Sequence, residues 1–163
     1  MINPQHWAST EVSGIKAVTY DASSSIGIVN SGDLTSIGTG AYDDAYGIQA
    51  RANGAGSSIS VVNSGNLTAI IDESNPYSRA IGIQAGSGGD NSPTTVVNNG
   101  TITASGGFSY GICAGTEGAN SPLSIWRYRR HLGIQQIRHH HHNPPLSSNT
   151  GRSAVRSNQV SEV

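Results

Sequence analysis

The sequence predicts an all-β fold, a parallel β-solenoid of about three coils that occupies residues 10–120. Two sequence motifs recur in step along this part of the chain, at a period of 33 to 35 residues. Each period holds three short runs of strand-forming residues. The chain of 163 residues has 21 glycines and only 12% charged residues. That composition argues against a helical bundle, which needs Leu, Glu, Lys and Arg at helical spacing.

Two independent motifs define the repeat. The first has the form Gly-Ile-x-Ala and begins at four glycines, of which the last follows after a shorter interval: Gly14, Gly47, Gly82 and Gly111. The second has the form Val-Asn-Ser/Asn-Gly-x-Leu/Ile-Thr and begins at three valines: Val29, Val62 and Val97. The two spacings between copies of the second motif equal the first two spacings between copies of the first motif. We therefore infer a true structural repeat.

Each period contains three short β-runs, for example Tyr46–Ala50, Ile59–Asn63 and Leu67–Ile71. An Asn-Ser-Gly or Asn-Asn-Gly sequence separates the second run from the third and supplies residues that tolerate positive φ at a corner. Three strands and three corners then make one coil, and successive coils stack in parallel. Stretches rich in Gly, Ser, Asn and Pro are predicted to be side loops: Ala52–Ser58, Asp72–Arg79 and Gly86–Pro93.

Stacking predicts that equivalent residues of neighbouring coils lie one strand spacing apart, about 4.8 Å. Aliphatic residues are therefore expected to form three inward columns: Ile15/Ile48/Ile83/Ile112, Val29/Val62/Val97 and Leu34/Leu67/Ile102. The alanine two places after each isoleucine shares its parity and is expected to face inward too. At the corner, Asn30, Asn63 and Asn98 are predicted to form a ladder in which each amide bonds its copies above and below.

With these motifs in place, residues 10–120 resemble the passenger region of bacterial autotransporters. The resemblance rests on the form Gly-Ile-Gln-Ala followed by Val-Asn-Ser-Gly-x-Leu-Thr-Ala. It implies a right-handed parallel β-helix that is exported to the cell surface and followed by a membrane β-barrel. It also implies a role in adhesion, aggregation or biofilm formation, although some members of the family carry separate enzyme domains.

Both ends of the chain depart from that family pattern. The first ten residues lack a basic segment followed by an apolar one, and no series of alternating ten-residue strands follows residue 120. We therefore expect a truncated interior fragment without its translocator barrel. The parent protein is expected at the cell surface, whereas a chain made as given would be cytoplasmic.

The composition changes near residue 125, and residues 121–163 are predicted to form a basic, His-containing, disordered tail. Residues 1–125 hold three basic and nine acidic residues, whereas residues 126–163 hold six arginines and one glutamate. Contact with nucleic acid or acidic lipid, and zinc or nickel binding by His139–His142, are two interpretations of this tail. We favour a third, a shifted reading frame, because loss of the repeat, loss of glycine and gain of arginine coincide.

No catalytic, cofactor-binding or metal-binding residue is assigned from the sequence. His6 is the sole histidine outside the tail, and Cys113 occupies the position of Gln49 and Gln84 in sister repeats, on the solenoid wall. The acid pairs Asp43-Asp44 and Asp72-Glu73 could assist calcium binding, or act with basic residues as in β-helix enzymes that cleave acidic polysaccharides. Three basic residues are available for that role: Lys16, Arg51 and Arg79.

These observations favour a non-enzymatic, surface-exposed solenoid with a structural or cell-adhesion role, whose partners are molecules of host or sister-cell surfaces. No nucleic-acid partner and no cofactor is expected. The isolated fragment is expected to self-associate through exposed strand edges. The alternatives are a fragment of a β-helix polysaccharide lyase or hydrolase, and a truncated gene product without function.

Overall fold

A computed structural model describes residues 11–40, 42–71 and 77–127, and these residues form eleven β-strands and no helix. The strands follow one another along the chain as β1 (Glu11–Thr19), β2 (Ile26–Asn30), β3 (Leu34–Gly38), β4 (Asp44–Ala52), β5 (Ile59–Asn63), β6 (Leu67–Ile71), β7 (Arg79–Ser87), β8 (Thr94–Asn98), β9 (Ile102–Ser105), β10 (Phe108–Thr116) and β11 (Leu123–Arg127). In this part of the chain no apolar helix is available to cross a membrane.

The strands form three parallel sheets, and each strand pairs with its equivalent in the preceding coil. Sheet A contains β1, β4, β7 and β10, sheet B contains β2, β5, β8 and β11, and sheet C contains β3, β6 and β9. The chain visits A, B and C in turn and then begins the next layer. The eleven strands make three complete coils and the first two strands of a fourth, so the predicted all-β, parallel β-solenoid of about three coils is confirmed.

The register of the sheets matches the sequence repeat. In sheet A, Ile48 lies opposite Ile15 on one side and Ile83 on the other. In sheet C, Leu67 lies opposite Leu34 and Ile102. Residues one period apart thus stack directly on one another, as the sequence predicted.

All variation in coil length lies at one corner, the connection from sheet C to sheet A. Measured between the first residues of the strands, the step from sheet A to sheet B is the same in every coil, and so is the step from sheet B to sheet C. The step from sheet C to sheet A differs each time: it is longest between β6 and β7 and shortest between β9 and β10. Insertions are tolerated here because this connection does not interrupt the stacking of the strands.

The interior is filled by the isoleucine, leucine and alanine columns that the sequence predicted. Ile48 and Ile83 are both fully buried, and Ala50, Ala85 and Ala114 line the same core. A smaller cluster of Ala45, Ala69, Ile71 and Ala80 fills the remaining part of the cross-section near the C-to-A corner.

The predicted inward column Val29, Val62 and Val97 is wrong. Because the asparagine that follows each valine points inward, the period-two alternation of a strand turns the valine outward, and Val29 is 81% exposed. The inward positions of sheet B belong instead to the preceding residues of each copy: Ile28, Val61 and Val96.

The predicted asparagine ladder is confirmed. Nδ2 of Asn30 donates to Oδ1 of Asn63 at 2.7 Å, and Nδ2 of Asn63 donates to Oδ1 of Asn98 at 2.7 Å. Each Nδ2 also donates to the carbonyl oxygen two residues further along, which ties the ladder to the corner backbone. All three side chains are buried, so these hydrogen bonds satisfy amides that would otherwise be costly to bury.

The role predicted for the Asn-Ser-Gly corners needs a correction. Positive φ occurs at the A-to-B corner, at one equivalent residue in each of the four coils: Ser23, Gly56, Asn91 and Asn120. At the B-to-C corner the glycine is needed for close approach of coils, because a Cβ on Gly65 would overlap the carbonyl oxygen of Gly32. Glycine is required at that corner by packing, not by backbone conformation.

The A-to-B corner, predicted to be a side loop, is itself stacked between coils. The backbone N–H of Ser57 donates to Oγ of Ser92, and that of Ser92 donates to Oγ of Ser121. Ser57 and Ser92 are fully buried. This serine ladder was missed in the sequence, where serine is abundant and its copies fall in stretches typical of loops.

The solenoid extends beyond residue 120, where the sequence places the start of the tail. Strand β11 pairs with β8, so Ile125 lies opposite Val96, Trp126 opposite Val97 and Arg127 opposite Asn98. Arg127 therefore stands where the ladder would have its next asparagine. The stretch 128–163, with its predicted disorder and His139–His142, lies outside the described residues.

Candidate functional site

The outer face of sheet A carries all of the charged side chains that lie on the described strands before Arg127. Its outward positions hold a different set of side chains in each coil: Glu11, Ser13, Lys16 and Val18 in the first, Asp44, Tyr46, Gln49 and Arg51 in the second, Arg79, Ile81, Gln84 and Gly86 in the third, and Phe108, Tyr110, Cys113 and Gly115 in the fourth. All basic residues of the described chain before Arg127 lie on this face. The outer faces of sheets B and C carry only uncharged residues over the same span.

The alternation of inward and outward side chains on this face breaks at the glycine of the Gly-Ile-x-Ala motif, where Gly47 and Ile48 are both buried. A Cβ on Gly47 would meet the carbonyl oxygen of Gly82 and the Leu67 side chain, so there is no room for a larger residue at this position. Tyr46 and Gln49 flank these two residues on the outer side, yet each is only 1% exposed. Because Gly47 and Ile48 both face the interior and Tyr46 and Gln49 flank them on the outer side, we infer that the wall bends here, and we call the outer strip between the Tyr46 and Gln49 columns the groove.

On one arm of the groove, Tyr46, Asp44 and Arg79 form a bonded set. The Arg79 guanidinium forms an ion pair with the Asp44 carboxylate at 2.5 Å, and the Tyr46 hydroxyl donates to the same carboxylate at 3.1 Å. Although burial raises the pKa of Asp44, its bonds to Arg79 outweigh this and hold that pKa below its usual value. Burial raises the pKa of Tyr46 to about 12, so its hydroxyl remains a donor at physiological pH.

On the other arm, the column of Lys16, Gln49 and Gln84 makes two separate sets of polar contacts. Lys16 pairs with Glu11 at 2.9 Å, Gln49 Nε2 donates to Gln84 Oε1 at 3.0 Å, and Arg51 donates to the same oxygen at 3.0 Å. Although burial raises the pKa of Glu11, its bonds with Lys16 and Ser13 leave that pKa below its usual value. Gln49 Oε1 is buried and receives no hydrogen bond from the described residues.

Cys113 continues the Gln49 and Gln84 column, as the sequence predicted, because it lies opposite Gln84 in the register. Burial raises the pKa of its thiol and outweighs the nearby charges of Arg79 and Arg51. The thiol is therefore protonated at neutral pH, which is the unreactive form.

Next to Cys113 the groove opens into a depression of about 490 Å³. Its floor is formed by the backbone of residues 85–86 and 114–115, because the Ala85 and Ala114 side chains face the core, and its polar margins by four side chains: Arg51, Asn53, Gln84 and Glu117. Sequence reasoning missed this depression, because its residues come from three coils and most of them lie outside the conserved positions of the two motifs.

The acidic residues singled out in the sequence are separated by the fold. Asp44 faces the groove, whereas the Asp43 carboxylate is buried and accepts from the backbone N–H of Gly40 at 2.8 Å. Asp72, Glu73 and His6 lie outside the described residues. No group of three or more His, Cys, Asp or Glu side chains suited to a metal ion occurs among residues 11–40, 42–71 and 77–127.

The basic residues are brought to one face but not to one point. Arg79 is paired with Asp44 of its own arm and Lys16 with Glu11, which lies in the Asp44 column, whereas Arg51 lies at the margin of the depression and donates to an amide. In the register, Glu11 lies opposite Asp44 and Asp44 lies opposite Arg79, so two acids and a base stand in one column on consecutive coils, with Arg79 paired to Asp44. What the face offers is a groove with mixed donors, acceptors and aromatic rings.

Comparison with known proteins gave no match: no protein-family model, no curated protein and no solved structure is significantly similar to the chain.

Proposed function

We propose that the chain is part of a surface-exposed β-solenoid of the autotransporter or adhesin type, with a structural or cell-adhesion role and no catalytic activity. The repeat motifs that resemble autotransporter passengers support this proposal, together with the solenoid that these motifs build. In this proposal the partners are molecules on host or sister-cell surfaces.

The observation that carries the proposal is the contrast between a uniform interior and a varied exterior. Inward positions repeat the same residue type from coil to coil, which gives a rod whose stability grows with each added layer. The outer face of sheet A and the C-to-A corner differ in every coil. Such a rod projects a variable surface without disturbing its core, which is what adhesion requires.

Surface display tests the proposal. The full chain, fused to a translocator barrel in a non-adherent bacterium, is expected to reach the surface, to be cleaved by added protease, and to increase adherence to host cells or aggregation between bacteria. The barrel alone is the control for display. A second control is a Gly65→Val chain, because a branched side chain there breaks the close approach of two coils.

Two results would overturn the proposal. The first is a folded, displayed chain that leaves adherence and aggregation at the level of the barrel alone. The second is release of unsaturated uronates from polygalacturonate by the purified chain, which would favour a polysaccharide lyase. In solution, the isolated chain is expected to elute from a sizing column as a mixture of associated forms, because unpaired strand edges template further pairing.

A further inference from the structure

The depression on the outer face of sheet A combines a flat floor with unused polar groups. Gly86 and Gly115 lack side chains and the side chains of Ala85 and Ala114 face the core, so this surface is formed by backbone. Backbone groups of this floor are engaged in the parallel ladder between β7 and β10. A ligand must therefore lie flat on the floor and bond to the side chains at its margin.

The margin offers both donors and acceptors. Arg51 uses one nitrogen to bond Gln84, which leaves other guanidinium N–H groups to donate. The Gln84 Nε2 amide group and the side chains of Asn53 and Glu117 form no hydrogen bonds with the described residues. These groups surround the floor on successive coils.

The spacing of the margin follows from the stacking. Asn53, Gly88 and Glu117 are equivalent residues of three coils, because Gly88 donates to Ala52 and Glu117 to Ser87 at the same corner. Asn53 and Glu117 are thus two strand spacings apart, about 10 Å, with no side chain between them at Gly88. A short saccharide fits such a gap, whereas a single small ion would contact one side only.

The charged residues around the depression indicate which class of ligand it can bind. Arg51 and Glu117 are the two charged residues that line the depression, and their charges cancel. A polyanion would meet Glu117, and an apolar ligand would leave the polar groups of the margin unpaired at a desolvation cost. A neutral ligand rich in hydroxyl groups satisfies both kinds of group, because each hydroxyl can donate and accept.

From these observations we infer that the depression binds a neutral saccharide, with its C–H face on the Gly86 and Gly115 floor and its hydroxyl groups bonded to Arg51, Asn53, Gln84 and Glu117. The inference rests on the proposed adhesive function and names the class of surface molecule that this part of the solenoid would contact.

Binding of the full chain to immobilised sugars tests the inference. The probes are neutral tri- and tetrasaccharides of glucose, galactose, mannose and N-acetylglucosamine, with polygalacturonate as the acidic comparison. Saturable binding to at least one neutral probe is expected, with little dependence on salt between 50 and 500 mM, a range over which the Debye length falls severalfold (about 14 to 4 Å).

Gly86→Phe is the decisive variant. A Cβ at Gly86 meets only the carbonyl oxygen of Gly115, at 4.0 Å, so the ring is expected to fill the depression without displacing the backbone. Gly27→Phe is the matched control, because Gly27 lies on the outer face of sheet B with nothing within 4 Å of an added Cβ. Gly86→Phe is expected to weaken binding at least about tenfold and Arg51→Ala about fivefold, while Gly27→Phe leaves it unchanged.

The outcomes separate this inference from the proposed function. Binding to no neutral probe by a folded chain, binding that survives Gly86→Phe, or binding to polygalacturonate alone with steep salt dependence would each overturn the saccharide site. If the displayed chain adheres equally to cells stripped of surface glycans, the adhesive role stands and the saccharide inference fails. If adherence is absent while neutral probes bind, the proposed function fails and the saccharide site stands.

Discussion

The asparagine corner and the outer face of sheet A both stack polar side chains from successive coils, but they do so in opposite ways. At the corner, Asn30, Asn63 and Asn98 are identical, buried and bonded head to tail. On the face, the column of Lys16, Gln49, Gln84 and Cys113 does not repeat one residue type through the coils. Identical residues satisfy one another and hold the coils together, whereas differing residues leave unused groups for a ligand.

The largest effect in this comparison is expected at the centre of the ladder. Asn63→Leu removes two hydrogen bonds made by Nδ2 and leaves the Asn30 amide and the Asn98 oxygen without their partner. We expect a loss of about 3 kcal/mol in the free energy of unfolding, because buried polar groups without partners are costly. Urea unfolding followed by circular dichroism measures it.

Asn66→Leu provides the matched control for the ladder. Asn66 is an exposed asparagine three residues further along, whose Oδ1 accepts one long bond, 3.3 Å, from the Thr101 N–H. Loss of this hydrogen bond is expected to lower the free energy of unfolding by less than about 1 kcal/mol. Equal effects at the two asparagines would show that the ladder adds no stability beyond that of an ordinary surface amide.

A second, smaller effect is expected from the glycines that allow the coils to approach. Gly65→Ala forces a Cβ against the carbonyl oxygen of Gly32, and overpacking of this kind costs about 2 kcal/mol. Gly27→Ala, with open space around the added Cβ, is expected to leave the melting temperature unchanged or slightly raised. A melting temperature for Gly65→Ala equal to that of the parent chain would contradict the close contact.

The contribution of Tyr46 to the free energy of unfolding is expected to fall at alkaline pH. The pKa of Tyr46 is raised by burial to about 12, against about 10 in the unfolded chain. The folded state thus keeps the proton that the unfolded state releases, so the associated stability is present below pH 10 and is lost as pH rises towards 12. The free energy of unfolding is therefore expected to be lower at pH 11 than at pH 9 by about 1 kcal/mol from this residue.

Tyr46→Phe isolates that contribution. The variant is expected to differ from the parent chain in its change of stability between pH 9 and pH 11, by the same amount of about 1 kcal/mol. Urea midpoints at the two pH values, measured for both chains, make the comparison. Parallel pH profiles would mean that Tyr46 ionises as readily in the folded chain as in the unfolded one.

The smallest effect is expected from the ion pair of Asp44 and Arg79. The pair is partly exposed, so a double-mutant cycle with Asp44→Asn and Arg79→Gln is expected to give about 0.5 kcal/mol. Because the folded-state pKa of Asp44 is lowered, this stabilisation is present above the unfolded pKa and is lost as pH falls through the folded one. A coupling energy that grew on acidification would contradict that sign.

Much of the interior could be predicted because stacking converts a sequence period into a spatial column. The isoleucines of Gly-Ile-x-Ala and the asparagines of the corner lie where the repeat of their motifs puts them. The valine column failed for a local reason. Val and Asn are adjacent, only one of them can face inward, and hydrophobicity alone selected the wrong one.

The groove could not be predicted in the same way. Its walls combine residues from four coils, and the depression depends on what is missing at Gly86, Gly88 and Gly115. A side chain that is absent leaves no motif to search for. The sequence did contain one signal, since Lys16, Arg51 and Arg79 all fall within sheet A strands at outward positions, but using it required the register.

The order of residues was sufficient to determine the repeating unit, its three strands per coil and most of its core, because each coil repeats the same inward chemistry and each layer can pair only with a copy of itself. The three-dimensional structure alone decided which side of the sheet B strands faces water, which corner takes the positive φ, and which unlike residues meet on the outer face. Those outcomes depend on contacts between residues of different coils, which no single repeat encodes on its own.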